Sequence, residues 1–330
     1  MKAITPVIAT VMLLLVTVGV VGVSYSWLNG LFSSQTKNSI SIPSGGAYCS
    51  NGEIKVHVLN TGNSPLTTSG IILAQVDGND ILNTPFIGDM GSYLSYWKFD
   101  EVAGSVAADS SGNGNNGAVS SNTNWAAGKV GGALNFFGSD LTHPSYVSAS
   151  VSSGSLRFNT PFTIEMWINP TDTASCYAGE CTLFARSSAT QSNLVYVALS
   201  PGANTIRFAG SGFDFNGNYA IQLGKWTHVA LNYDGVTAKI FVNGALDNSK
   251  PGAGFTDSGS AGTLYIATMT NSARYYRGVM DDLKVYNKNT GTFNIQPGNA
   301  AVLVNYPATE GRHQIKIGTS SGVSESTVTC

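Results

Sequence analysis

Apolar side chains fill residues 4–32, ITPVIATVMLLLVTVGVVGVSYSWLNGLF, without one charge, and Lys2 and Lys37 bound the run. An uncharged segment of that length, apolar on every side, predicts a helix able to span a bilayer. A secretory signal would carry a shorter apolar core and a small-residue cleavage site behind it. Here Tyr25 and Trp27 follow instead, as interfacial aromatics would. Beyond Lys37 the period of the pattern shortens to two. Ile54, Val56 and Val58 alternate with Lys55 and His57, the mark of a half-buried strand. A turn follows at residues 60–65, and a second strand over 69–76 closes on Asp77-Gly78. The far end has the same texture: strands over 302–304, 313–317 and 324–329, the last two joined by a hairpin at 318–322. Neither end supplies a domain alone. Together they give about six strands, enough for a small sandwich. The residues between, 92–289, also alternate apolar with polar positions and are punctuated by glycine turns. They predict two packed antiparallel sheets. The expected class is therefore mainly β, with one N-terminal hydrophobic α-helix.

Composition agrees with an exported β-protein. The 330 residues include 38 Gly, only 11% are charged, and 17 Lys+Arg face 19 Asp+Glu for a net charge of −2. No basic patch invites nucleic acid. Four cysteines, Cys49, Cys176, Cys181 and Cys330, allow three pairings. The turn-like interval between Cys176 and Cys181 favours a local loop-closing bridge, which leaves Cys49 with Cys330. A metal site at C-x4-C lacks a second pair. Disulfides imply an oxidising, exported location. No N-x-[ST] acceptor occurs outside proline exceptions.

Two resemblances refine this. Lys2-Ala3 directly before Ile4-Thr5-Pro6 and the apolar run resembles the N-terminus of archaeal type IV pilins. The resemblance implies a leader over 1–3, cleavage between Ala3 and Ile4, and a mature helix over 4–36 that anchors in the membrane before assembly. The helix would then pack against copies of itself or other pilins. Pro6 would fall in its first turn, where a missing N–H costs nothing. Gly19 and Gly22 would permit close helix approach. The Cys49-Ser50-Asn51-Gly52 opening and the turn at Asn60-Thr61-Gly62 likewise resemble the headpiece of archaeal pilins and archaellins. A β-sandwich headpiece is thus expected from 37–91 and 290–330.

The second resemblance lies between those parts. YWKFDE at 96–101, ADSSGNGNNG at 108–117, WAAGKVGGALNF at 125–136 and FTIEMWINP at 162–170 come first. KWTHVALNYDG at 225–235, IFVNG at 240–244 and GVMDDLKVYN at 278–287 follow in order. The set looks like a laminin-G-like domain of the concanavalin A-like jelly-roll superfamily, spanning 92–289. That superfamily includes glycosidases, which need two carboxylates flanking the scissile bond. No E-x-D-x-x-E strand cluster is present, Glu165 stands alone, and His57, His143, His228 and His313 are scattered, so no enzyme is expected. The resemblance implies a calcium ion near Asp109, Asn113, Asn115 and Asp281. Asp281 shares alternation with Leu283 and Val285, which should face the core. Phe213-Asp214-Phe215-Asn216 and Arg274-Tyr275-Tyr276-Arg277 are candidates for an exposed glycan or protein receptor site, aromatic faces stacking on sugars and arginines pairing with anions. The expected whole is a cell-surface filament subunit displaying an adhesive module, or a membrane-anchored lectin that never polymerises.

Overall fold

The computed structural model describes residues 10–21, 23–25, 38–82, 84–88, 93–138, 144–152, 157–173, 176, 180–188, 195–200, 202–210, 212–252, 254–257, 259–269, 274–286 and 294–330. Residues 10–21 and 23–25 are helical. The apolar side chains of this helix stay uncovered, with Val11 54% and Val23 72% exposed. Among the described residues no helix is long and apolar enough to cross a membrane. Of the helix expected over 4–36, residues 10–21 and 23–25 are helical, while Ala3, Ile4 and residues 5–9, 22 and 26–36 lie outside the described residues.

Strands from the two ends of the chain pair with each other. Glu53–Asn60 lies antiparallel to Ile40–Ser41 and Ala47–Ser50, and to Ala300–Pro307. Ile71–Val76 lies between Arg312–Thr319 and the short Asn79–Asp80, and Gly322–Thr329 completes that sheet beyond Arg312–Thr319. The alternation read in the sequence sets the packing: Ile54, Val56 and Val58 from one sheet meet Ala74, Val76, Ile315 and Ile317 from the other in a buried core. A Cys49–Cys330 disulfide joins residues 281 apart, Cα–Cα 5.6 Å, and ties the last residue to the strand Ala47–Ser50.

The described strands between Ser95 and Tyr286 form two eight-stranded antiparallel sheets face to face. The first runs Thr123–Ala127, Gly132–Phe137, Arg277–Tyr286, Phe162–Asp172, Thr227–Tyr233, Thr237–Val242, Ala245–Pro251, with Ser95–Trp97 also on Arg277–Tyr286. The second runs Phe213–Asn216, Thr205–Gly210, Val195–Ser200, Cys181–Ser188, Gly262–Ile266, Val147–Val151, Gly117–Val119, Val106–Ala107. Ile164, Met166 and Ile168 of the first sheet face Val195, Val197 and Phe208 of the second in one continuous apolar core. The second disulfide, Cys176–Cys181, sits at the edge of this core.

The middle of the outer face of the first sheet is covered, while Phe137 and Leu246 towards its edges stay exposed. Ala230 and Phe241 belong to the smaller sandwich's core. Phe86 packs edge-on against Phe241 at 5.6 Å and His228 at 6.0 Å. The Tyr306 hydroxyl donates to the Asn243 carbonyl at 3.1 Å. A Cβ on Gly52 would come within 2.8 Å of Val130, so the two units meet there at glycine distance. The solvent-facing side of the sandwich is therefore the outside of the second sheet.

Candidate ligand-binding face

On the second sheet, alternation turns Phe213 and Phe215 inward and Asp214 and Asn216 outward. Phe213 is 5% exposed, and both phenylalanines pack on Phe208. Neither is a free platform for a sugar. The outward row that includes Asp214 runs across five strands: Tyr265, Ala185, Tyr196, Ala209, Asp214. The next row holds Ala198, Arg207 and Asn216. Ala185, Ala198 and Ala209 of these rows are themselves buried, and two half-buried tyrosine rings and a set of charged side chains surround them.

Arg207 is the hub of those charged side chains. Its Nε donates to Asp214 Oδ1 at 2.8 Å and a second nitrogen pairs with Asp214 Oδ2, a two-point grip. The same guanidinium pairs with Glu180 and stands over the Tyr196 ring at 5.6 Å. Glu180 in turn accepts from Arg274. Lys250 Nζ donates to the Asp214 carbonyl at 2.8 Å. The Arg207 bond holds the Asp214 carboxyl below the usual range, against burial. Burial pushes the Tyr196 hydroxyl up, Asp214 adds to that, and Arg274 opposes it. Three cations against two carboxylates leave the cluster with a positive balance, and about a quarter of each arginine side chain stays in solvent.

This geometry unites two stretches that the sequence kept apart, 213–216 and 274–277. The links are Glu180 and Arg207, neither of which had a sequence signal beyond its charge. Tyr275 and Tyr276 do not join them. Tyr275 is 8% exposed, and Tyr276 is fully buried with its hydroxyl donating to the Val279 carbonyl. Arg277 lies on the other sheet, against Gly138 O and Asp172.

The acidic loop and Asp281 have other duties. Asp109 Oδ1 accepts from the Tyr96 and Ser111 amides, and Oδ2 accepts from Ser111 Oγ and the Asn115 amide. Asn113 and Asn115 donate to the Tyr93 and Leu94 carbonyls, pinning the strand Ser95–Trp97. Asp281 Oδ2 accepts from the Val130 amide at 2.9 Å. Both Asp109 oxygens thus hold two donors each, whereas Asp281 Oδ1 is buried without a hydrogen-bond partner. Among the described residues no group of three or more acid, His or Cys side chains could hold a metal ion.

Asp281 also faces away from the core it was expected to enter. Glu165 pairs with Lys284 and Trp167 with Asp281, so two residues, Asp282 and Leu283, oppose Met166. Asp282 takes φ 50°, the bulge that admits the extra residue. Met280, Leu283 and Val285 therefore face inward, and Asp281 shares Trp167's outward side.

Residues 142–295 match the family model for the concanavalin A-like lectin/glucanases superfamily, laminin-G type. A comparison with curated proteins finds no match. Among solved structures, the chain is similar to domain 4 of AbnA, a GH43 extracellular arabinanase from Geobacillus stearothermophilus, in complex with arabinotriose. That match has 20% identity and a TM-score of 0.46, over 59% of this chain and 92% of that one. It is also similar to the binding domain of Paraclostridial Mosquitocidal Protein 1, with 16% identity and a TM-score of 0.45, over 67% and 49%. Trypanosoma rangeli sialidase in complex with 2,3-difluoro-KDN matches at 15% identity and a TM-score of 0.44, over 61% and 31%. The chain thus spans about half of the second protein and a third of the third.

Proposed function

We propose that the protein is an extracellular, non-catalytic binding protein whose second sheet recognises a glycan. The observation that carries this reading is the outward row in which Arg207 joins Asp214, Glu180 and Tyr196. The half-buried Tyr196 and Tyr265 offer aromatic rings to a sugar, and fixed charge-assisted donors supply direction. The family match over 142–295 supports a lectin-like role. The two disulfides support an oxidising, exported setting. Binding of the full-length protein to a glycan array tests the reading. Arg207→Ala should remove the binding with little change in melting temperature, because the side chain is partly exposed. Binding unaffected by Arg207→Ala and by Tyr196→Ala would move the site elsewhere.

The finer reading is a pilin-like filament subunit, with the N-terminal helix packed against its copies. It is supported by Lys2-Ala3 ahead of the apolar run and by a helix whose Val and Leu side chains stay exposed among the described residues. N-terminal sequencing of mature protein should begin at Ile4, and a start at Met1 would leave the membrane-anchored lectin. A calcium ion near Asp109, Asn113, Asn115 and Asp281 stays part of this reading: added Ca2+ should raise the melting temperature, and a value unchanged by Ca2+ or chelator would remove the ion.

A further inference from the structure

Between the two sandwiches lies a buried set of reactive groups that ligand recognition does not use. Lys284 points outward from the strand Arg277–Tyr286, opposite Glu165 on Phe162–Asp172. Its Nζ stands 2.5 Å from Oε1 of Glu53, which belongs to the small sandwich, and 3.5 Å from Glu165 Oε1. The three side chains are 5%, 10% and 2% exposed. Lys55 Nζ lies 3.5 Å from the other Glu53 oxygen. His228 Nε2 is 3.9 Å from Glu165 Oε2. The Tyr96 ring faces Lys284 Nζ at 5.5 Å, and the rings of Tyr93 and Tyr286 stand 5.8 Å apart.

We propose that Lys284 and Glu53 form an intramolecular amide bond, with Glu165 carrying the protons, so that the two sandwiches are covalently joined. The groups are held in a water-poor site with the amine nitrogen already against the carboxyl group, which is what an intramolecular condensation needs. An ion pair buried this deeply retains a desolvation penalty that a neutral amide does not carry. The water released passes to solvent.

Protonation permits the step. Fully ionised, Glu53, Glu165 and Lys284 sum to one negative charge. Burial raises the Glu165 carboxyl above its usual range although Lys284 opposes this, so a proton there makes the trio neutral. Passing the Lys284 proton to Glu53 then yields amine and acid with no change in net charge. Burial favours that form, while Glu53, Glu165 and Asp282 outweigh it and keep the ammonium as the resting state. The amine is thus a minor form, and one slow turnover per molecule is enough.

In the step itself the Lys284 nitrogen lone pair forms a bond to the Glu53 carbonyl carbon. The carbonyl electron pair moves onto Oε2, beside the Lys55 ammonium, which stabilises the oxyanion. Glu165 gives its proton to Oε1 and takes one from the nitrogen. The C–Oε1 bond breaks, water leaves, and the carbonyl re-forms. Glu165 ends as it began.

Intact-mass spectrometry of reduced full-length protein tests this. The chain should weigh one water molecule less than its sequence, and a digest should contain a branched peptide joining Glu53 to Lys284. Lys284→Arg keeps the charge and should restore the full mass. Glu165→Gln should also restore it, in a chain that still folds as judged by its disulfides and circular dichroism. Full mass in the wild-type chain, or a lost water located outside these two residues, would overturn the proposal. Loss of water in Glu165→Gln would overturn the role given to Glu165.

Discussion

Two buried ionisable residues on the strands either side of Phe162–Asp172 pull the pH dependence of stability in opposite directions. Burial pushes the Asp281 carboxyl up to about 7, an effect its Val130 hydrogen bond reduces and Asp282 adds to. A raised carboxyl binds its proton more tightly folded than unfolded. It favours folding at low pH and opposes it increasingly as pH climbs from about 4 to about 7. Asp281→Asn keeps an acceptor for Val130 without the charge. The variant should melt higher than the parent at pH 8, by at most about 4 kcal/mol of unfolding free energy, and equal it near pH 4. His228 has the reverse sign. Burial, and next Lys284, depress it to about 3, so its share of stability is complete above pH 6.5 and drains away as pH falls toward 3. A thermal-melt series across pH 3–8 on Asp281→Asn and His228→Gln separates the two: each variant should flatten only its own limb.

At the level of strands, period-two alternation made most of the architecture legible. Ile54, Val56 and Val58 face one core as the pattern required, and the chain ends pair as their textures suggested. The pattern failed where the backbone inserts a residue. Parity placed Asp281 beside Leu283 and Val285, and the bulge at Asp282 reverses that order. Nothing in Met280-Asp281-Asp282-Leu283 announces a bulge, because the extra residue is accommodated by φ alone. The receptor stretches were half legible for a related reason. Aromatic residues next to polar ones invite a surface reading, whereas on a strand only one member of each adjacent pair can be outside, and here Asp214 won over Phe213 and Phe215. Glu180 and Arg207 became visible only once the sheet brought them to Arg274. One strand-level expectation follows from the long bridge. Removing it with Cys49→Ser and Cys330→Ser should cost about 2–5 kcal/mol in denaturant unfolding, and more for the small sandwich than for the large one.

For the whole molecule, the two sandwiches are less separable than the sequence suggested. A stretch as long as 92–289 is large enough to bury a core of its own, yet Ala230 and Phe241 lie in the neighbour's core and Lys284 is paired across the boundary. Excised, that fragment would present Phe241, His228 and the Glu165–Lys284 pair to water. It should melt below the intact chain and bind a hydrophobic dye, and a Tm equal to the parent's would show that the boundary contributes nothing.

The pairing of Glu53–Asn60 with Ala300–Pro307 also fixes an order of events during synthesis. Residues 38–82 emerge first and have no completed sheet to join until the last strands appear. The central sandwich contains all its own strands and can close while the tail is still being made. Once closed, it holds Ser95 and Tyr286 on paired strands, Val285 opposite Ser95, which turns a loop of some two hundred residues into a short tether and removes most of its closure entropy. The large sandwich thereby acts as a template for the small one. Mutations that slow its folding should delay Cys49–Cys330 oxidation in pulse-chase experiments, while mutations confined to the small sandwich should leave Cys176–Cys181 on schedule.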